Sequence, residues 1–214
     1  MMTRMIPAIA LPRASMIRKL AVAIVATIAL SMLSAAHATV FVYETFMDGL
    51  SEFPPNVTPG TGFARVDYDD VAHTMRVQAT FSDLVGTTTA AHIHARVPDP
   101  PANPTAGVAT QTPSFSGFPL GVTSGSMDTT FNLTLASSWN ASYITSNGGT
   151  PASAEAAFFM AMDEGRAYFN IHSTFDTSGE IRGFMQLIPE PTTAGLAAGG
   201  IAAMLILRKR NRRA

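Results

Sequence analysis

Three histidines carry the most specific chemical signal of this 214-residue sequence. His92 and His94 lie two residues apart in a segment typical of a β-strand, so their side chains leave one face with Cβ atoms about 7 Å apart. His172 lies in a second strand-like segment, where Asn170 shares its face. Because neutral imidazoles at such a spacing are ligands for Cu²⁺ or Zn²⁺, the three side chains could meet at one metal site.

Two interpretations of this face are open. In the first, the three histidines bind an ion, with Glu180 as a fourth ligand or an outer partner. In the second, the histidines join Asn170, Glu180 and Arg182 in a hydrogen-bonded network that satisfies polar groups on a partly covered sheet. Imidazole nitrogens within about 4 Å of each other would favour the ion, since Zn–N bonds are about 2.0 Å long. Much larger separations would leave only the network.

Short β-strands are predicted to position these residues. The alternating segments Phe63–Asp69 and Met75–Phe81 predict an antiparallel hairpin that turns at Asp69 and Asp70. A further hairpin across 176–179 that opposes His172 with Glu180 would also oppose Asn170 with Arg182. The other predicted strands are Val40–Met47, Thr89–Val97, Met127–Leu135, Tyr168–Ser173 and Glu180–Leu187. This pattern favours an all-β fold, an antiparallel sandwich or barrel.

One helix and one long loop complete the predicted domain. The helix is expected between Pro151 and Glu164, with Thr150 as its N-cap and Gly165 just past its end. The proline-rich stretch 98–119 is predicted to be an extended surface loop, because proline lacks the N–H group that a central strand needs.

Composition excludes several classes of function. The sequence has no cysteine, which rules out disulfides, thiol catalysis, c-type haem and cysteine-ligated zinc or iron–sulfur sites. Residues 39–188 carry five arginines, no lysine and fourteen carboxylates, a net charge of −9. Nucleic acid is therefore excluded as a partner. No pattern points to catalysis, and we expect a protein that is not an enzyme.

Residues 1–38 are predicted to be a secretory signal peptide. A basic pair precedes an apolar run from Leu20 to Leu33, and the small residues that follow end in Ala36 and Ala38. This order is typical of cleavage after Ala38. A start at Met16 would give a signal of ordinary length.

The last 26 residues, 189–214, predict a membrane-directed sorting segment. An apolar helix over 194–207 covers only about 21 Å at about 1.5 Å per residue, short of the ~30 Å hydrocarbon core. The basic cluster after it stays on the cytoplasmic side, because Arg and Lys cross hydrocarbon at high cost. The segment contains Pro189, Glu190 and Pro191, followed after the helix by Arg208, Lys209, Arg210, Arg212 and Arg213. We therefore expect the domain over 39–188 to lie outside the inner membrane.

This tail resembles the PEP-CTERM sorting signal of Gram-negative bacteria that make extracellular polysaccharide. The resemblance implies export through the translocon, a transient stay in the inner membrane, cleavage by an exosortase, and delivery to the cell surface or extracellular matrix. An ordinary C-terminal membrane anchor is the alternative.

The domain itself resembles the CHRD domain, named from chordin. The resemblance rests on 91–94 (Ala-His-Ile-His), 168–173 (Tyr-Phe-Asn-Ile-His-Ser) and 179–183 (Gly-Glu-Ile-Arg-Gly), with Glu52, Pro54 and Pro55 upstream. It implies an all-β architecture and does not name a reaction. Together with the targeting ends, it leads us to expect a structural, adhesive or binding component of the envelope or exopolysaccharide matrix. Polysaccharide or surface proteins would be the partners, and a Cu- or Zn-binding module is the alternative function.

Overall fold

The computed structural model describes residues 40–98 and 104–189, in which eight strands form one antiparallel sheet. The strands are β1 (Val40–Asp48), β2 (Thr61–Asp69), β3 (Thr74–Ser82), β4 (Thr88–Ala95), β5 (Gly125–Asn132), β6 (Ala167–Ser173), β7 (Ile181–Phe184) and β8 (Gln186–Ile188). Their order is β4-β6-β7-β1-β2-β3-β5, and β8 also pairs with β1. The all-β prediction is confirmed, and the sheet curls into a half-barrel.

The β2–β3 hairpin forms as the alternation predicts. Val66 pairs with Val77, and both side chains are fully buried on the inner face of the sheet. At the turn, the Asp69 carboxylate accepts bonds from the amides of Val71 and Ala72 at 3.0 and 2.8 Å. These turn amides have no partner in a neighbouring strand, and the Asp69 carboxylate provides the hydrogen-bond acceptor that they need.

The predicted strand Glu180–Leu187 is divided into two. β7 pairs with β6, whereas β8 pairs with β1. Met185 separates them: its side chain is fully buried, and its amide donates to the Ala167 carbonyl at 2.9 Å. The strand is therefore interrupted at the residue whose side chain enters the core. An alternating pattern of polar and apolar residues does not predict such an interruption.

Two α-helices, α1 (Ala141–Ser146) and α2 (Pro151–Asp163), pack beside the sheet. In α2 the Thr150 hydroxyl accepts the amide of Ser153 at 3.1 Å, and Gly165 has φ +65°, as the predicted cap and terminator require. The apolar residues Phe158 and Met162 enter the core. α1 and the 3₁₀ turn Ala136–Ser138 are additional elements that the sequence analysis did not predict.

The described part of the proline-rich segment, 104–119, is not a simple surface loop. It runs along β4, where the amides of Ala109 and Phe115 donate to the carbonyls of Ile93 and Ala91 at 3.0 and 3.2 Å. Phe115 and Phe118 are buried in the core. The segment, called here the covering loop, therefore closes the free edge of β4.

The predicted targeting ends lie outside the described residues. This applies to the signal peptide with Ala36 and Ala38, and to the sorting segment from Glu190 onward. Pro189 is described and is exposed. Over 40–98 and 104–189, no helix has the length and apolar character needed to cross a membrane.

Candidate metal centre

The pairing of β4 with β6 brings the three histidines together. His92 pairs with Asn170 and His94 with Tyr168, while His172 pairs with Ala90, next to a register shift in β4. The ring centroids are 5.9 Å apart for His92 and His94, 5.2 Å for His92 and His172, and 5.8 Å for His94 and His172. The sequence-predicted meeting of the three side chains is thus present in the fold.

One nitrogen from each ring faces the other two. These three atoms all lie within 4.8 Å of one another. An ion bound at about 2.0 Å in tetrahedral geometry would set its ligand nitrogens about 3.3 Å apart, so the rings would have to close by up to about 1.5 Å. The observed 4.8 Å limit on the nitrogen–nitrogen distances lies between the 4 Å expected for a shared ion and the wide separation expected for a hydrogen-bonded network alone. The hydrogen bonds of the rings are therefore needed to distinguish the two interpretations.

The opposite nitrogen of each ring donates to a backbone carbonyl. His92 Nε2 lies 2.7 Å from the Pro113 oxygen, His94 Nδ1 lies 2.9 Å from that of Ala106, and His172 Nδ1 lies 3.0 Å from that of Thr177. Since a carbonyl oxygen only accepts, each of these ring nitrogens must carry the hydrogen. In the neutral rings, the other nitrogen of each histidine therefore holds a free lone pair.

These lone pairs are the unusual feature of the site. His92 Nδ1, His94 Nε2 and His172 Nε2 are buried and have no hydrogen-bond partner among the described residues. Leaving a buried polar atom unpaired costs about 1–3 kcal/mol. Three buried, unpaired nitrogens in one place require an explanation. A cation that accepts all three lone pairs would remove the energetic cost.

Burial keeps the three imidazoles neutral near pH 7. It lowers the pKa of His92 and of His94 to about 4 in each case, although the bonds to Pro113 and Ala106 act in the opposite direction. Burial also lowers the pKa of His172, against the effect of its bond to Thr177. Neutral imidazole is the form that binds a metal.

An aromatic stack holds His94 in place. Its ring lies parallel to that of Tyr168, with centroids 4.8 Å apart and planes inclined by 6°. The guanidinium carbon of Arg182 lies 4.8 Å from the same Tyr168 centroid, a distance typical of a cation–π contact. The stack restricts rotation of His94 and so pre-organises one ligand.

The polar network exists, but it is separate from the histidines. Asn170 donates to Glu52 at 2.6 Å, and Arg182 forms an ion pair with the same carboxylate at 3.6 Å. Arg182 also donates to the Ser51 and Pro104 carbonyls. Asn170 pairs with Arg182 in the register predicted from the sequence. Within the described residues, none of these hydrogen bonds or ion pairs involves a histidine.

Glu180 does not face the ion site. The ladder between β6 and β7 ends at Ile171 and Ile181, so the expected pairing of Glu180 with His172 does not form. The carboxylate instead accepts bonds from the hydroxyls of Thr58 and Ser173 and from the amides of Val85 and Gly86. We therefore do not assign Glu180 as a fourth or outer ligand, because its acceptor positions are filled elsewhere.

Two contributors to the site were missed by reasoning from the sequence. The covering loop supplies two of the carbonyls that orient the histidines, which no side-chain pattern reveals. Glu52 was noted only as part of a motif, although it anchors Asn170 and Arg182. Gly179 was a partial sequence signal of this crowded network, because only glycine fits there. Its φ is +143°, and a Cβ at this position would lie 2.4 Å from Asn170 and 2.7 Å from Glu52.

Comparison with known proteins agrees with this architecture. The family model for the CHRD domain matches residues 43–185, which is well over half of the chain. Searches of curated proteins and of solved structures found no match. The matched span includes most of β1, all of β2 to β7, the three histidines and the network around Glu52. The chain therefore belongs to the CHRD domain family.

Proposed function

We propose that this protein is an exported, non-enzymatic binding module whose CHRD domain holds one Cu²⁺ or Zn²⁺ ion between His92, His94 and His172. Two observations carry the proposal: each ring offers a nitrogen within 4.8 Å of the other two, and each ring has a buried nitrogen without a hydrogen-bond partner among the described residues. A hydrogen-bonded network would instead give each of these nitrogens a donor.

The donor set selects the class of metal. Three neutral nitrogens, without a carboxylate among them, suit Zn²⁺ and Cu²⁺ and are poor ligands for Ca²⁺ or Mg²⁺. The bonds to the carbonyls of Pro113, Ala106 and Thr177 act as the outer support that metal-binding histidines ordinarily have. They fix each tautomer and raise the basicity of the ligand nitrogen.

The cellular role follows from the ends of the sequence. The predicted signal peptide and sorting segment support export, a transient inner-membrane stage and exosortase-dependent delivery to the envelope or the extracellular matrix. A net charge of −9 over 39–188 keeps such a domain soluble and repels anionic surfaces. A metal bound by buried histidines would serve this protein as a structural or sequestered ion.

Calorimetric titration tests the metal site. The full-length chain, stripped of metal with EDTA, is titrated with CuSO₄ and separately with ZnCl₂ at pH 7.5. We expect one ion per chain with a sub-micromolar Kd, because three pre-oriented imidazoles contribute together. His94→Ala and His172→Ala should each weaken binding at least tenfold, since each removes one of three ligands.

His73→Ala is the matched control, because His73 is half exposed and lies at the β2–β3 turn. Its affinity should equal that of the unmodified protein. The metal site would be refuted by the absence of binding heat with either ion, or by equal affinity in the His73 and His94 variants.

A further inference from the structure

A surface with an aromatic row and a charged row lies on the opposite half of the sheet from the proposed metal centre. On its outer face Phe46 pairs with Phe63, Phe63 with Thr80, and Thr80 with Ser126 across four strands. A parallel row pairs Glu44 with Arg65, Arg65 with Gln78, and Gln78 with Asp128. These two rows are called the outer platform.

One of the two phenylalanines of the outer platform is open to solvent, and the other is half-buried. Phe46 is 82% exposed, and its ring centroid lies 5.2 Å from that of Phe63. Exposing a phenylalanine this fully on a rigid strand forgoes the free energy that burial of the ring would give, about 1.5–3 kcal/mol. Rigid, exposed aromatic side chains on a sheet are more typical of a binding surface than of a solvated face.

Two neighbouring hollows share the Phe63 ring. One, of about 300 Å³, is lined by both phenylalanines and by Thr61, Thr80 and Ser82. The other, of about 240 Å³, is lined by Phe63 with Arg65 and Gln78. The first cavity lies at the lower limit of the size range of small-molecule sites, and the second lies below it. Each combines an aromatic wall with hydroxyl, amide or guanidinium groups.

Both arginines on and beside the outer platform are paired with carboxylates, which outnumber them three to two. Arg65 binds Glu44 at 2.9 Å and Asp67 at 2.8 Å, and Arg76 on the adjoining row binds Asp128 with two bonds. No cation of this face is therefore left to attract an anionic polymer, and the acidic domain as a whole repels one. The same net charge of −9 opposes docking of a second copy.

From these features we propose that the outer platform binds an uncharged polysaccharide chain, with successive sugar rings seated on Phe46 and Phe63. The C–H face of a pyranose carries a slight positive potential, which complements the negative face of an aromatic ring. Sugar hydroxyls would exchange hydrogen bonds with Arg65, Gln78 and Thr80, whose planar or short side chains are held in the ladder. This inference names a ligand for the proposed matrix role and is independent of the metal.

Affinity electrophoresis tests the proposal directly. The full-length chain, in a polyoxyethylene detergent that has no sugar head group, is run through native gels containing hydroxyethylcellulose, galactomannan or alginate. We expect at least one of the neutral polymers to retard migration and the acidic alginate to have no effect. Phe46→Ala and Phe63→Ala should each raise the apparent Kd at least tenfold.

Phe175→Ala is the matched control, since Phe175 is 48% exposed and lies in the turn between β6 and β7. It should bind the neutral polymer as the unmodified chain does. His172→Ala should also bind it normally, which separates this proposal from the metal site. Lack of retardation by both neutral polymers would overturn the proposal. So would stronger retardation by alginate, or equal effects of the Phe63 and Phe175 substitutions.

Discussion

The bonds from His92, His94 and His172 to backbone carbonyls give the three-histidine site an unusual energetic balance. Each ring satisfies its N–H and leaves its lone pair buried, at a cost of about 1–3 kcal/mol for each atom. A bound ion would remove this cost at all three atoms. Any ion that binds the folded chain and not the unfolded one also stabilises the fold by mass action.

Glu180 illustrates a buried carboxylate with a structural role. Burial raises its pKa, but the hydrogen bonds from Ser173, Thr58 and two amides outweigh this effect, and the pKa lies below its ordinary value. All four groups around it are donors, and its side chain is fully buried. Only an acceptor fits this position well.

We therefore predict that Glu180→Gln destabilises the fold and leaves metal affinity intact. The amide NH₂ of glutamine would face hydrogen-bond donors, so the free energy of unfolding should fall by about 2–4 kcal/mol. Urea unfolding measures the loss, and calorimetry at a temperature where the variant is folded measures metal affinity.

Glu44→Gln is the control for this substitution, because Glu44 is on the surface and pairs with Arg65. It should lower the free energy of unfolding by no more than about 1 kcal/mol. A Glu180→Gln variant as stable as this control, or one that loses metal binding while folded, would contradict the structural role of Glu180.

At the scale of elements, α2 is fastened to the β2–β3 hairpin by a buried carboxylate. Glu155 accepts bonds from the Tyr68 hydroxyl at 2.9 Å and from His73 Nδ1 at 2.9 Å. The bond and the charge of Glu155 raise the pKa of His73 above its ordinary value. Protonation of His73 therefore strengthens the contact between the hairpin turn and Glu155 of α2.

The sign of the resulting pH effect is fixed by this upward shift. A His pKa raised by folding stabilises the fold fully below the unfolded pKa of about 6.5, and this contribution is lost as pH rises through the folded pKa. We predict that NMR titration places the His73 pKa above 6.5 and that Glu155→Gln returns it towards 6.5.

Asp128→Asn is the control, because Asp128 lies on β5 and pairs with Arg76, not with His73. It should leave the His73 titration unchanged. The linkage would be refuted by a His73 pKa at or below 6.5 in the unmodified protein, or by a His73 pKa that stays high in Glu155→Gln.

The sequence predicts a helix or strand well where residues close together in the chain determine it. Alternation in β2 and β3 gives the hairpin and its turn, and Thr150 with Gly165 bounds α2. The break at Met185 and the short helix α1 depend on distant packing partners. The prediction that 98–119 is an extended surface loop was incomplete for its described part, because proline content does not reveal that the loop covers β4 and buries Phe115 and Phe118.

The candidate site was predictable only in part. Strand alternation places His92 and His94 on one face, and the hairpin register relates Asn170 to Arg182. The orientation of each imidazole depends on main-chain carbonyls from the covering loop and the β6–β7 turn, to which composition gives no guide. The rotation of Glu180 towards Ser173 likewise follows from where the ladder ends.

On the scale of the whole molecule, the proposed functions occupy different parts of one sheet. The proposed metal centre lies on β4 and β6, and the outer platform lies on β1, β2, β3 and β5. A domain without cysteines would then be held by packing and by an ion, and would bind a matrix polymer by its other half. In the proposed function, delivery to that matrix would depend on the two predicted targeting segments.

We predict that replacing Pro189, Glu190 and Pro191 together by alanine retains the protein in the inner membrane. The apolar helix and the basic cluster would still insert, whereas the exosortase would no longer recognise its site. Fractionation of cells followed by immunoblotting checks this outcome. A Thr192→Ala variant, which leaves the tripeptide intact, should be released normally, and unchanged release of the triple variant would contradict exosortase sorting.

X-ray absorption spectroscopy of the Cu- or Zn-loaded full-length chain tests the central claim most directly, because it counts the imidazoles on the ion. We predict three imidazole nitrogens at about 2.0 Å from one ion in the unmodified protein and two in His172→Ala. An ion bound by one imidazole or none, or a spectrum that His172→Ala does not change, would contradict the shared three-histidine site.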